Sequence, residues 1–134
     1  MTRIKNLTYE EFKILNAGTN FSENGFNVII SCQFIQTWEQ LAEALGNAFQ
    51  FPMRNEGLDG TWDWLTDLSW LGEQKRISIY FYNEKELFKN NFSLKKKVIN
   101  WLEELLQFWE TDVKDAVIAG KSGEPKDFKI YFIN

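Results

Sequence analysis

Histidine is absent from this 134-residue chain, cysteine occurs once and proline twice. Without histidine the chain has neither the commonest general base nor the commonest metal ligand, which weakens most hydrolase mechanisms. No Asp-x-Asp-x-Asp-Gly loop is present either, so no metal and no cofactor is expected. The one thiol, Cys32, stands in an apolar run, where a buried reduced side chain is the simplest reading. No stretch reaches the 18 or more apolar residues of a membrane span, and the first twenty residues lack the apolar run of a secretory signal. A cytoplasmic protein with no membrane contact is the expectation. A basic surplus is missing too. Fifteen Lys and Arg face nineteen Asp and Glu, a net charge of -4. Direct nucleic-acid binding rests on cations and is disfavoured, whereas a basic protein partner suits this balance.

What is present is an ordinary globular composition, 44% hydrophobic and 25% charged, in a length that fits one domain. There is no repeat and no low-complexity tract. Three segments rich in β-branched and aromatic residues read as strands: Asn27 to Cys32, Arg76 to Tyr82 and Phe128 to Ile133. The first is the most apolar and is expected to lie centrally.

Helical patterns fill the spaces between them. Thr37 and Gln40 have capping-box form, followed by Trp38, Leu41, Leu45 and Phe49 at helical spacing, with a stop expected before Pro52. After Gly57, the stripe Leu58, Thr61, Leu65, Leu68 predicts a second helix running to about Trp70. A short helix is expected over Glu84 to Lys89. A long one is expected from Leu94 to about Val113, with Val98, Leu102, Leu105 and Trp109, joined by Ile99 and Leu106, facing the core. Strands joined by helical crossovers imply an α/β layered domain with a small three-stranded parallel sheet covered by helices. Residues 26–134 would form that domain. Residues 1–25 read as an N-terminal extension, with a short helix capped by Thr8 and Glu11 and a turn at Asn24-Gly25. Residues 114–127, with Gly120, Gly123 and Pro125, read as a helix end and loop.

Charge is concentrated in one window. From Asn55 to Gln74 there are five acids, Glu56, Asp59, Asp63, Asp67 and Glu73, and no Lys or Arg. On a continuous helix, Asp59, Asp63 and Asp67 would share one face, where like charges cost a few tenths of a kcal/mol per pair. A helix dipole accounts for Asp59 but fades before the other two, for which a solvated acidic face is the competing account. Trp62, Trp64 and Trp70 lie in the same stretch and cannot all join the core if the leucines do. Trp64 and Trp70 read as core residues. Trp62 flanks the acids, and an aromatic beside acids suits a protein interface. Lys95, Lys96 and Lys97, at the start of the long helix, read as a solvated patch, with a second contact site as the alternative.

The run Phe51-Pro52, a loop with Gly57, and then Leu58-Asp59-Gly60-Thr61-Trp62-Asp63-Trp64-Leu65 resembles the loop-and-helix motif of the barstar family. That motif usually reads as a proline, a Tyr/Gly/Asn-rich loop and Leu-Asp-Ala-Leu-Trp-Asp-Cys-Leu. The order of elements agrees as well, over roughly residues 27 to 134. The resemblance implies an intracellular inhibitor of immunity type, a monomer that plugs the active site of a cationic ribonuclease or nuclease toxin domain in a 1:1 complex. It implies Asp59, Trp62 and Asp63 as partner-facing residues, and a glutamate on the long helix, matched to Glu104 with Glu103 as the alternative. Arg54 and Asn55 occupy the motif loop, where Met53-Arg54-Asn55-Glu56 replaces the family's paired aromatics and is about one residue shorter. Asp67 extends the acidic face.

Two other classes compete. Paired carboxylates one helical turn apart could catalyse glycoside hydrolysis, but a short solvent-facing helix offers no sugar cleft, and no enzyme is expected. A regulatory module using the same fold on a non-nuclease partner is the alternative function.

Overall fold

In the strand Arg76–Tyr82, reading RISIYFY, Ile77, Ile79 and Phe81 point to one side of the sheet and Ser78, Tyr80 and Tyr82 to the other. That alternation explains a two-sided core. The computed structural model describes residues 3–17, 25–53, 57–72, 74–113 and 126–134. The four strands are β1 (Lys5–Leu7), β2 (Gly25–Ser31), β3 (Arg76–Tyr82) and β4 (Asp127–Ile133). The helices are α1 (Tyr9–Ala17), α2 (Trp38–Phe49), α3 (Leu58–Leu65) and α4 (Phe92–Gln107).

The sheet is all parallel in the order β1-β4-β3-β2, so it has four strands rather than the three expected. The addition is β1, whose residues Lys5, Asn6 and Leu7 pair with Tyr131, Phe132 and Ile133. Three residues of modest β-propensity gave no strand pattern; the ready edge of β4 supplies it. A second correction concerns position. β2, expected in the centre, is an edge strand beside β3, and its burial alternates, with Val28 and Ile30 buried while Ile29 is 48% exposed. Its apolar run reflects one packed face and one partly open face.

The larger core lies between the sheet and helices α2, α3 and α4, where Leu41, Leu45, Phe49, Leu65, Val98, Leu102, Leu105 and Trp109 meet Ile77, Ile79, Phe81, Phe128 and Ile130. On the other face, Phe12 of α1 packs with Tyr80 and Ile133. Cys32 is fully buried and unpaired, and burial, with Glu84 adding to it, pushes its thiol up to about 12.

Local signals set the helix starts. Thr37 Oγ1 accepts from the Gln40 N–H at 3.1 Å and Gln40 Oε1 accepts from the Thr37 N–H at 3.1 Å, completing the box. Thr8 and Glu11 do the same for α1. Asn91 Oδ1 caps α4 by accepting from the Leu94 N–H at 3.0 Å. Between β3 and α4 the expected short helix is a single 3-10 turn, Glu84–Glu86. The long helix runs from Phe92 to Gln107 and continues through a π turn, Phe108–Asp112. Asn24 and residues 114–125 lie outside the described residues.

Candidate functional site

α3 has only eight residues, and its ending reshapes the acidic face. Of the expected stripe, Thr61, Leu65 and Leu68 are buried, the Leu58 side chain lying outside the described residues, but the helix stops at Leu65 instead of running to Trp70. Thr66 Oγ1 turns back to donate to the Trp62 carbonyl at 2.8 Å, and Leu68 takes a left-handed backbone with φ of 55°. An L side chain in that region costs roughly 1 to 3 kcal/mol. Full burial of the Leu68 side chain offsets it. Asp67 therefore sits past the helix, half-buried, where it accepts from Ser69 Oγ at 3.2 Å. The three-acid helical face is thus a pair: Asp59, in the first turn where the dipole favours it, and Asp63, one turn later. Both are exposed.

The tryptophans divide the surface. Trp62 is half-buried in the seam between α3 and α4, edge-on to Trp101 at 5.9 Å and to Phe108 at 6.4 Å. Trp64 and Trp70, expected in the core, are both half-buried, Trp70 packing against the core from its margin, and they stand perpendicular to each other at 5.4 Å with Phe51 beside both. The Trp70 indole N–H donates to the Phe49 carbonyl at 2.9 Å, which keeps its polar edge satisfied.

Trp109 anchors α3 to the sheet. Its ring stacks on Phe128 at 5.9 Å with 3° between planes, and its indole N–H donates to the Leu65 carbonyl at 3.0 Å, at the end of α3. This bond satisfies a terminal helix carbonyl inside the core.

On α4 the two candidate glutamates have different surroundings. Glu103 accepts the backbone N–H groups of Arg3 at 2.7 Å and Ile4 at 3.2 Å, tying the start of the chain to the helix. Glu104 is exposed. It lies three residues after Trp101 and four before Phe108, hence on the helix flank that carries the Trp62 seam. Among the described residues, none of Asp59, Asp63 and Glu104 has an ion-pair partner. Arg54, Asn55 and Glu56 lie outside the described residues. The three lysines of α4 also separate. Lys95 is half-buried against Glu84 at 2.9 Å, Lys96 lies over the Phe92 ring at 5.9 Å, and Lys97 is exposed.

Fold and face together define a parallel-sheet α/β domain that carries exposed carboxylates, without ion-pair partners among the described residues, around a tryptophan seam. A family model described as Barstar (barnase inhibitor) matches residues 26–131, and the chain belongs to the barstar family. No curated protein and no solved structure matches it. No helix among the described residues is long and apolar enough to cross a membrane, and none of their acidic side chains gather with Cys32 into a metal-holding group.

Proposed function

We propose that this chain is an intracellular inhibitor of immunity type that binds a cationic ribonuclease or nuclease toxin domain one-to-one and fills its active site. The observation that carries the reading is the grouping of Asp59, Asp63 and Glu104, without ion-pair partners among the described residues, around the Trp62 seam of a barstar-family domain.

Nuclease active sites gather Lys and Arg to hold phosphates. Carboxylates on a rigid helix can occupy that cationic pocket and offer nothing to cleave. Asp59 and Asp63 are separated by about 6 Å along the axis of α3, since four residues rise 1.5 Å each. Trp62 holds the α3 end of this face against α4, so Asp59, Asp63 and Glu104 reach the partner as one surface with little ordering cost. Opposite fields would speed encounter and make the rate fall with salt, while desolvated central pairs would slow dissociation. Asp63 is the main anchor in this reading, supported by Asp59 and Trp62; Arg54, Asn55 and Asp67 are the further residues expected to contact the partner.

The test is co-purification of partners from the native cell, followed by a nuclease assay on any partner captured, with and without the purified protein. Stoichiometric loss of nuclease activity is the expected result. Binding only to a protein without nuclease activity would replace this reading with the regulatory one.

A further inference from the structure

Lys95, Lys96 and Lys97 are consecutive in α4, and the fold gives each different surroundings. Lys95 is held by Glu84 at 2.9 Å, and Lys96 lies over the Phe92 ring at 5.9 Å. Lys97 is exposed and has no ion-pair partner among the described residues. Its own helix provides none. The residues three and four positions away are Ser93, Leu94, Asn100 and Trp101, and none of them is acidic.

Position around the helix distinguishes Lys97 further. At about 100° per residue, Lys97, Trp101, Glu104 and Phe108 fall on one flank of α4, whereas Lys96 and Glu103 fall on the other. Lys97 thus shares the flank of the Trp62 seam and of Glu104. The aromatic row under this flank is longer than the seam itself, because Trp101 meets both Trp62 and Trp38 edge-on at 5.9 Å. Lys97 stands one turn before Trp101, beside the fully buried Val98, so its backbone is fixed by packing and the cation is presented with little ordering cost. Glu104 lies seven residues further on, about 10 Å along the axis. The surface therefore changes sign along α4, from carboxylates around Trp62 to one cation beyond Trp101.

Resting on the inhibitor reading above, we propose that Lys97 is a specificity-determining contact, and that the partner carries an Asp or Glu carboxylate about 10 Å from the cation that Glu104 meets. That carboxylate gives Lys97 the ion pair its own chain does not provide. A nuclease with Lys or Arg at the same place is repelled, so one cation keeps an otherwise acidic face from serving every cationic pocket.

The experiment takes the protein that co-purifies with the full chain, whatever its activity, and measures its Kd for the native chain and for Lys97→Glu, Lys97→Gln and Lys96→Glu. Zero-length carbodiimide crosslinking of the native complex, read by mass spectrometry, accompanies it. Lys97→Glu should weaken binding at least about fivefold and Lys97→Gln less, as reversal and removal of one partly exposed charge pair would give. The sign is decisive: a merely solvated Lys97 predicts the opposite, since the same change makes the chain more acidic and favours a cationic partner. Lys96→Glu carries that charge change on the other flank and should leave binding equal or tighter. The crosslink should join Lys97 to an Asp or Glu of the partner. Unchanged melting temperatures check that the variants fold. The proposal is overturned if Lys97→Glu binds as tightly as the native chain, if Lys96→Glu weakens binding as much, or if Lys97 joins no partner carboxylate. A captured partner without nuclease activity would end the inhibitor reading while Lys97→Glu still decides this one, and capture of no partner would end both.

Discussion

Glu103 and Glu104 are adjacent in the chain and belong to different surfaces: Glu103 grips the backbone of Arg3 and Ile4, and Glu104 lies exposed on the flank of Trp101 and Phe108. A step of one residue on a helix turns a side chain by about 100°, enough to separate a structural carboxylate from an exposed one. Glu104→Gln should weaken partner binding and leave the denaturation midpoint in place. Glu103→Gln should do the reverse, costing about 1 kcal/mol of stability through lost charge-assisted bonds. Urea melts and binding isotherms on both variants check the split.

Asp63→Ala is expected to cost about 2 to 5 kcal/mol of binding if Asp63 meets a desolvated cation, the range for truncated buried charge pairs, to which the barstar complex itself has contributed. The folded state should be unaffected, because Asp63 is exposed and has no ion-pair partner among the described residues. A loss smaller than about 0.5 kcal/mol against the true partner would remove Asp63 from its anchoring role.

Trp109→Phe removes one hydrogen bond and leaves the Leu65 carbonyl buried without its donor. A cost of about 1 to 3 kcal/mol follows, beyond any packing change. Because that bond sits at the end of α3, amide exchange should quicken in α3 more than in β3. Equal acceleration everywhere would mean that Trp109 acts only as core volume.

Ile4 is 7% exposed, so Ile4→Ala should destabilise the fold by about 2 to 5 kcal/mol. The consequence for truncation is direct. Removing the first residues would uncover the β4 edge, and a loss of partner binding after such a truncation would report on folding rather than on contact. Thermal melts of Ile4→Ala separate the two effects.

Alkaline pH should weaken the fold through Cys32. In the unfolded chain its thiol ionises at the ordinary value of 9.0, while burial holds it protonated up to about 12 in the native state. Between those values the native state binds the extra proton, so stability falls as pH rises through the window and is fully retained below it. Tyr80 and Tyr131 are raised by burial as well and act in the same direction. The same thiol should resist alkylation at about pH 8 until the protein is unfolded.

Most of the frame could be read from residue pattern. RISIYFY alternates because a sheet with two packed faces demands it, and the boxes at Thr8 and Thr37 work through neighbours three residues away. Such signals are local, and the sequence contains them whole. The fourth strand was not legible: Lys-Asn-Leu has no strand signature, and only the waiting edge of β4 makes it one. The edge position of β2 is hidden from the sequence for a related reason, since an apolar run records burial by helices as readily as burial between strands.

The acidic segment divides along the same line. Its charge, its tryptophans and the barstar motif were in the sequence, because composition and spacing survive without a fold. Three things depended on distant contacts: the end of α3 at Leu65, forced by burial of Leu68 in a left-handed turn; the wedging of Trp62 between Trp101 and Phe108; and the division of labour between Glu103 and Glu104. Each joins residues separated by a turn that packing must fix or by dozens of positions in the chain. Local preference specifies which residues form helices and strands. Which side chains are spent on holding them together, and which are left for a partner, is decided by burial, and burial exists only once the tertiary structure has formed.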